Sequence, residues 1–415
     1  MAARFEIDRR QFLQNTGLLA AIAMSGTSLA LAFDARRDPR TPIRFYSAKR
    51  EMKAYYQALT NQFNQQQADF VAAFEQSTNL AADFARNTPV AVGITDLQQA
   101  TGAYLRLGAT ADQSDNPLVD QIDPHAIDII RQYASFNDQL GALPFSIAGQ
   151  GVIYNRDLFD EAGVTVPTTW SEMLEVCEKL KSKGITPLIG TFADIWTIEF
   201  SLFNHGVSGM LNVGEFFDKL NALGVDAGPD ASTSFSKDFR EPMLKVVGLL
   251  PYYQAGVKNI GYDQGNRDLG DGKGAMLIQG PWALNGVLGA NKDFKAGMFP
   301  LPMTDDPDDT QVMMNLDQMV FTPATATGKQ RDGGLEFMDF VLQPDMVDAY
   351  NLDQHAFSPL KNAKSTEDPM IEDLQPYMES GRYQMGPTIY IPAAIDKGRY
   401  LQEYIYAMMA DPTNE

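Results

Sequence analysis

The chain has 415 residues, 44% hydrophobic and 10% aromatic, too long for one compact core and too apolar for disorder, so two or three packed domains are expected. Its 53 acidic residues against 33 basic ones give a formal charge of −20, which disfavours a nucleic-acid surface and a strongly anionic ligand. A single cysteine, Cys177, and three widely spaced histidines, His125, His205 and His355, leave no disulfide and no CxxC motif, and no metal or cofactor is expected.

Residues 1–32 read as an export leader: a polar start, a short apolar stretch diluted by Gly, Ser and Thr, and an Ala30-Leu31-Ala32 cleavage site. Asp8-Arg9-Arg10-Gln11-Phe12-Leu13 resembles the twin-arginine signal. No cysteine follows for lipid attachment. Cleavage would remove three Arg, one Glu and one Asp, leaving 30 basic against 51 acidic residues, or −21. A charged linker, residues 33–42, comes next.

Ile43–Ser47 alternates like a strand, and Lys49–Gln66 has Tyr55, Leu59 and Phe63 on one helical face. Ala68–Glu75 and Pro89–Ile94 read as further strands around a short helix near Asn79–Asn87. This β/α alternation predicts an α/β fold with a mostly parallel sheet. Tyr46, Ser47, Thr95 and Asp96 follow strand ends, where ligands bind in open α/β sheets. Residues 100–145 carry little pattern. Leu143–Asn155 shows two apolar patches joined by Gly149-Gln150-Gly151. A short helix over 156–162 stops at Gly163. Thr169 and Glu172 have capping-box spacing, and Trp170, Met173, Leu174, Cys177 and Leu180 form one apolar face, which makes Cys177 a core residue.

Ile185–Gly190 is a strand, and Asp194 and Trp196 fall just beyond its carboxyl end. Residues 270–302 repeat the pattern as a β-α-β unit: strand Ala275–Gln279, a Gly280-Pro281 break, helix Trp282–Leu288, strand Gly297–Leu301. Trp282 thus occupies the place that Trp196 occupies in its own unit. Two aromatics at strand-to-helix junctions suit the apolar faces of sugar rings, with Asp and Asn side chains taking hydroxyls.

Four stretches carry a resemblance: LPFSIAGQGVIYNRDLFDEAGVTVPTTWSEMLEVCEKLKSKGITPL, GKGAMLIQGPWAL, GMFPLP and GLEFMDFVLQPDMVDAYNLDQHAFSPLKNA. Together they resemble the family 1 extracellular solute-binding proteins, the maltose- and oligosaccharide-binding type of receptor of bacterial ABC importers. The resemblance covers residues 143–361 closely and 43–142 only thematically. There Thr88-Pro89-Val90 stands where the family has Pro-Asp-Val. It implies a two-lobed type II periplasmic-binding-protein fold, each lobe a doubly wound sheet with the ligand in the interlobe cleft. The lobes would comprise 33–148 completed by about 301–350, and 149–300 completed by about 351–415. It implies hinge closure on a carbohydrate, delivery to membrane permease subunits, a monomer, and a periplasmic or cell-surface location. It carries sugar stacking to Trp282, cleft lining to Asn315 and to Asp317, which would hold two vicinal hydroxyls, and contacts to His355 and Phe357. Gln150 joins the expected ligand contacts.

Two other classes stay open. An enzyme would need chemistry that the motifs do not supply: GxSxG and HExxH are missing, and Gly270-Asp271-Gly272-Lys273 is followed by Gly274 where a P-loop needs Ser or Thr. A glycosidase carboxylate pair is not excluded by composition. The same fold could also bind a polyamine, metal or phosphate ester, or serve as an adhesin or sensor. Thr304–Thr310 lacks calcium-loop spacing and reads as a surface turn.

Overall fold

The computed structural model describes residues 38–411, apart from residues 50, 77–78, 97, 132–134, 364–367 and 392–394. The leader and the linker through residue 37 lie outside the described residues. The strands are β1 (Thr41–Ser47), β2 (Phe70–Glu75), β3 (Val92–Thr95), β4 (Ser135–Phe136), β5 (Gln139–Leu140), β6 (Leu143–Asn155), β7 (Leu188–Ile189), β8 (Met276–Gln279), β9 (Ala296–Phe299), β10 (Val312–Phe321) and β11 (Tyr383–Met385). The chain divides into two units. The first takes the described residues up to Ser146, Leu316–Asn351 and the described part of Ser358–Lys364. The second takes Ile147–Asn315, Leu352–Phe357 and the described residues beyond.

In the first unit, β1 lies between β2 and β3 and is parallel to both, while the end of β10 pairs antiparallel with β3. Helix Lys53–Gln66 buries Tyr55, Tyr56, Leu59 and Phe63, the face its periodicity predicts. Helix Gly328–Val341 adds Phe337, whose ring lies 4.6 Å from that of Phe45 and 4.8 Å from that of Phe63. One aromatic thus joins strand and helix layers. The unreadable stretch 100–145 holds two short helices, Gln98–Arg106 and Pro124–Arg131, and the β4–β5 hairpin.

β6 is a single thirteen-residue strand, buried throughout, and not two patches; it belongs to the second unit from Ile147 onward. β8 and β9 flank it, both antiparallel to it, so they run parallel to each other with β6 between them. That is the β-α-β unit read from residues 270–302. Gly151 is obligatory in this sheet: a Cβ there would lie 2.3 Å from the carbonyl oxygen of Phe299. β7 is parallel to β8, and the start of β10 is parallel to β11. The pairing is therefore mixed: β1 keeps parallel neighbours in the first unit, while β6 has antiparallel ones in the second. β6 and β10 each arrive directly from the other unit, without the helical crossover that parallel pairing needs. Residues 301–315, expected with the first lobe, belong here, because Leu301 and Met303 are buried in this unit's core.

Helix Trp170–Ser182 starts with both halves of the capping box formed by Thr169 and Glu172. It buries Met173, Val176, Cys177 and Leu180, and burial pushes the Cys177 thiol up to about 12.

Candidate ligand-binding site

Two groups of side chains gather at strand ends, one in each unit. In the second unit, β8 ends at Gln279 and the chain turns through Gly280 into the 3-10 turn Pro281–Ala283. Trp282 is half-buried, and its ring folds back over Gly280, where any Cβ would stand 2.3 Å from the ring atoms. Beyond β7, Asp194 opens the short helix Ile195–Ile198, which continues as a π-helical turn, Glu199–Phe203, and then as helix Asn204–Ser208. The Thr197 hydroxyl hydrogen-bonds the carbonyls of Thr191 and Asp194, both at 2.7 Å, and pins this junction.

These elements place four rings in a row. The Tyr262 and Trp196 centroids are 4.9 Å apart at 56°, Trp196 and Phe200 are 6.3 Å apart at 68°, and Phe200 and Trp282 are 6.2 Å apart at 84°. Such spacings and tilts are those of rings in contact. Trp196 is 38% exposed. Asp194, expected to take ligand hydroxyls, accepts the Tyr262 backbone N–H at 2.6 Å and so holds that ring beside Trp196. Phe200 and Tyr262 escaped the sequence reading. Phe200 stands four residues from Trp196 and could have been found by helical spacing; Tyr262 carries no local signal.

In the first unit, Tyr46 and Ser47 end β1, and Thr95 and Asp96 end β3. Tyr46 is buried, and burial followed by the Asp96 charge raises its phenol pKa. Asp96 keeps an exposed face, yet the protein atoms around it displace enough water to raise its carboxyl pKa, and the Asp317 charge adds to this. Asp317 itself is engaged. Lys49 Nζ donates to its two oxygens at 2.8 and 2.6 Å, and the Tyr350 hydroxyl donates to Oδ2 at 2.9 Å. Lys49 also reaches the Tyr350 oxygen at 3.0 Å. All three ammonium hydrogens are used, which closes a buried network of Lys49, Asp317 and Tyr350.

The remaining expected contacts also have partners within the second unit. Gln150 Nε2 donates to Asn315 Oδ1 between β6 and β10. His355, in the left-handed region at φ 52°, meets Asp368 through Nδ1. Burial alone would raise the Asp368 carboxyl, but His355 and the backbone N–H groups of Met370 and Ile371 outweigh it and leave the pKa lowered. Phe357 pairs its backbone with Ile147 in both directions, and its ring lies against Gly149. Among the ten expected contacts, Trp196 and Asp96 are exposed, Trp282 is half-buried and Tyr46 is buried. Among the described residues, no group of three His, Cys, Asp or Glu is placed to hold a metal ion.

The chain is similar to the multiple sugar-binding protein of Streptococcus mutans serotype c, 20% identical over 307 residues, which cover 70% of each chain. Its structure is similar to that of RafE in complex with raffinose, with TM-score 0.77 and 19% identity over 89% of this chain and 97% of that one. A sugar transporter from Bacillus licheniformis in complex with stachyose gives TM-score 0.67 and 15% identity over 90% and 99%. That likeness establishes the two-lobed type II periplasmic-binding-protein fold. A family model for bacterial extracellular solute-binding proteins matches residues 47–348, well over half of the chain, and the protein therefore belongs to that family.

Proposed function

We propose that the protein is the extracytoplasmic receptor of an ABC importer and that it captures a carbohydrate, with an oligosaccharide as the expected ligand. The observation that supports this most is the row of rings beyond β7 and β8, with Trp196 open to solvent. Aromatic faces hold the apolar C–H faces of sugars, and nothing in the row supplies a nucleophile or an acid–base pair. In this reading Trp282 and Trp196 are the stacking platforms, and Asp96 and Tyr46 are expected polar contacts. Capture by hinge closure, delivery to permease subunits, export through the twin-arginine leader and a monomeric state belong to the same proposal. The sugars printed for the similar proteins, raffinose and stachyose, are the first to try.

A cation is the second reading, because electron-rich rings also hold ammonium groups. A thermal-shift screen of mono- and oligosaccharides beside spermidine separates the two. A ligand that binds only the native state raises the melting temperature by mass action. A shift with sugars and none with spermidine is expected; the reverse would replace the carbohydrate reading. Turnover of any bound sugar would argue for an enzyme.

A further inference from the structure

We infer that a groove in the first unit, at the sheet edge opposite Tyr46 and Asp96, is a docking surface for a basic polypeptide segment of a partner protein. The groove takes no part in the carbohydrate site proposed above, so the two stand or fall separately.

Its position follows from the sheet. β1 and β3 run parallel and end at Ser47 and Thr95, whereas β10 runs the other way and leaves the sheet at Phe321, opposite Gly93 near the start of β3. Residues 322–328 therefore lie at the edge where β3 begins. With residues 111–121 and helix Gly328–Val341 they enclose a cavity of about 1020 Å³. The frame is well tied: Ala111 N–H donates to the Thr322 carbonyl at 2.8 Å, Ala324 N–H to the Ala109 carbonyl at 2.9 Å, and Gln113 Nε2 to Thr322 Oγ1 at 2.9 Å.

Charge and chemistry narrow the occupant. Asp112, Asp115, Asp332, Glu336 and Asp339 line the groove against one base, Arg331. Asp332, Glu336 and Asp339 are spaced i, i+4 and i+7, on one helix face, where neighbouring like charges cost stability. Among the described residues, none of the five carboxylates has an ion-pair partner. A second sign comes from Thr110. It pairs antiparallel with Pro323, which lines the groove, so both side chains leave the same face. The Thr110 hydroxyl is 2% exposed and has no partner, an unspent donor on that side. Leu118, Ala326 and Leu335 supply apolar lining. A metal ion does not suit this place: among the described residues, no group of three His, Cys, Asp or Glu is set to hold one. The cavity is at the upper end of the small-ligand range, and a small cation would leave the apolar lining bare. Arginines flanking an apolar side chain meet both demands, since guanidinium forks match carboxylates.

The test is fluorescence anisotropy on the whole protein with a labelled probe peptide, Arg-Leu-Arg-Arg-Leu-Arg, and its serine-for-leucine counterpart. Wild type is compared with the groove variant Asp332→Asn/Glu336→Gln/Asp339→Asn. A control, Glu161→Gln/Glu175→Gln/Asp218→Asn, removes the same charge from exposed positions of the second unit. Wild type and control should bind the probe within about twofold of each other, and the groove variant about 5- to 50-fold more weakly. The serine peptide should bind wild type about threefold or more weakly than the leucine one. Sugar affinity of the groove variant, read by calorimetry, should stay within about twofold of wild type. No binding by wild type, equal loss in groove and control variants, or equal binding of the two peptides would overturn the docking surface and leave sugar capture untouched. Tighter probe binding by the full chain carrying Arg36→Ser/Arg37→Ser would give the groove to the chain's own arginines. A dimer lost in the groove variant would give it to a second copy. Either result would overturn the partner assignment.

Discussion

Replacing Lys49 by Met is the perturbation whose cost can be worked most fully from the structure. Lys49 and Asp317 have side chains only 6% and 9% exposed, and the ammonium meets the carboxylate at 2.6 Å. Without the amine, Asp317 keeps a single side-chain donor, the Tyr350 hydroxyl at 2.9 Å, in a place with almost no water. Breaking a buried pair from one side costs about 3–5 kcal/mol. At about 2–4 °C per kcal/mol for a unit of this size, the first unit's melting point should fall by about 6–20 °C. The double variant Lys49→Met/Asp317→Leu removes both charges at similar volume and should recover most of that loss, because the pair is non-additive. All three tryptophans lie in the second unit, so indole fluorescence follows that unit. Hydrogen exchange in β1 and β3 follows the first. A single variant as stable as wild type, or a double variant worse than the single, would refute the closed-network description of Asp317.

Three further outcomes follow from the second unit. His205 is 4% exposed, its Nε2 has no partner, and burial lowers its pKa to about 3. The unfolded chain, titrating near 6.5, therefore binds more protons between about 3 and 6.5. Stability should be full above that window and fall by about 3 kcal/mol by pH ~4.5. Fluorescence-followed urea unfolding at both pH values should show His205→Asn losing correspondingly less. Cys177 should resist Ellman's reagent in the native protein and release one equivalent in denaturant, since its thiol is buried and titrates at about 12. Gly151→Ala should destabilise the second unit by about 1–3 kcal/mol in the same unfolding assay, because backbone and not a flexible side chain stands in the way.

Strong local signals predicted some of the helices and their ends. The face of helix Lys53–Gln66 and the capping box at Thr169 are periodic or short-range features, which local chemistry decides. Sheet direction was not readable in the same way. Whether β6 runs parallel or antiparallel to its neighbours depends on where the chain enters the unit, and apolar content does not record that. Trp196 and Trp282 do stand just past strand ends, because an apolar run followed by a turn or a Gly-Pro break marks such a junction locally. Asp317, His355 and Asp194 each meet another group of the chain, which the sequence could not show: a polar residue at a strand or helix end looks alike whether it meets a ligand or a distant side chain. Lys49, 268 positions before Asp317, could not be foreseen as its partner.

The carbohydrate reading is tested most directly by comparing Trp282→Ala with wild type in a calorimetric titration with the best-binding sugar from the thermal-shift screen. Trp282 is half-buried at the entry of a short helix, so the variant should keep its fold while losing one stacking face. The predicted result is an affinity about 5- to 150-fold weaker, from about 1–3 kcal/mol of lost stacking, with the variant still folded in the absence of sugar. Unchanged affinity in a folded variant would contradict the assignment of this ring row as the sugar platform.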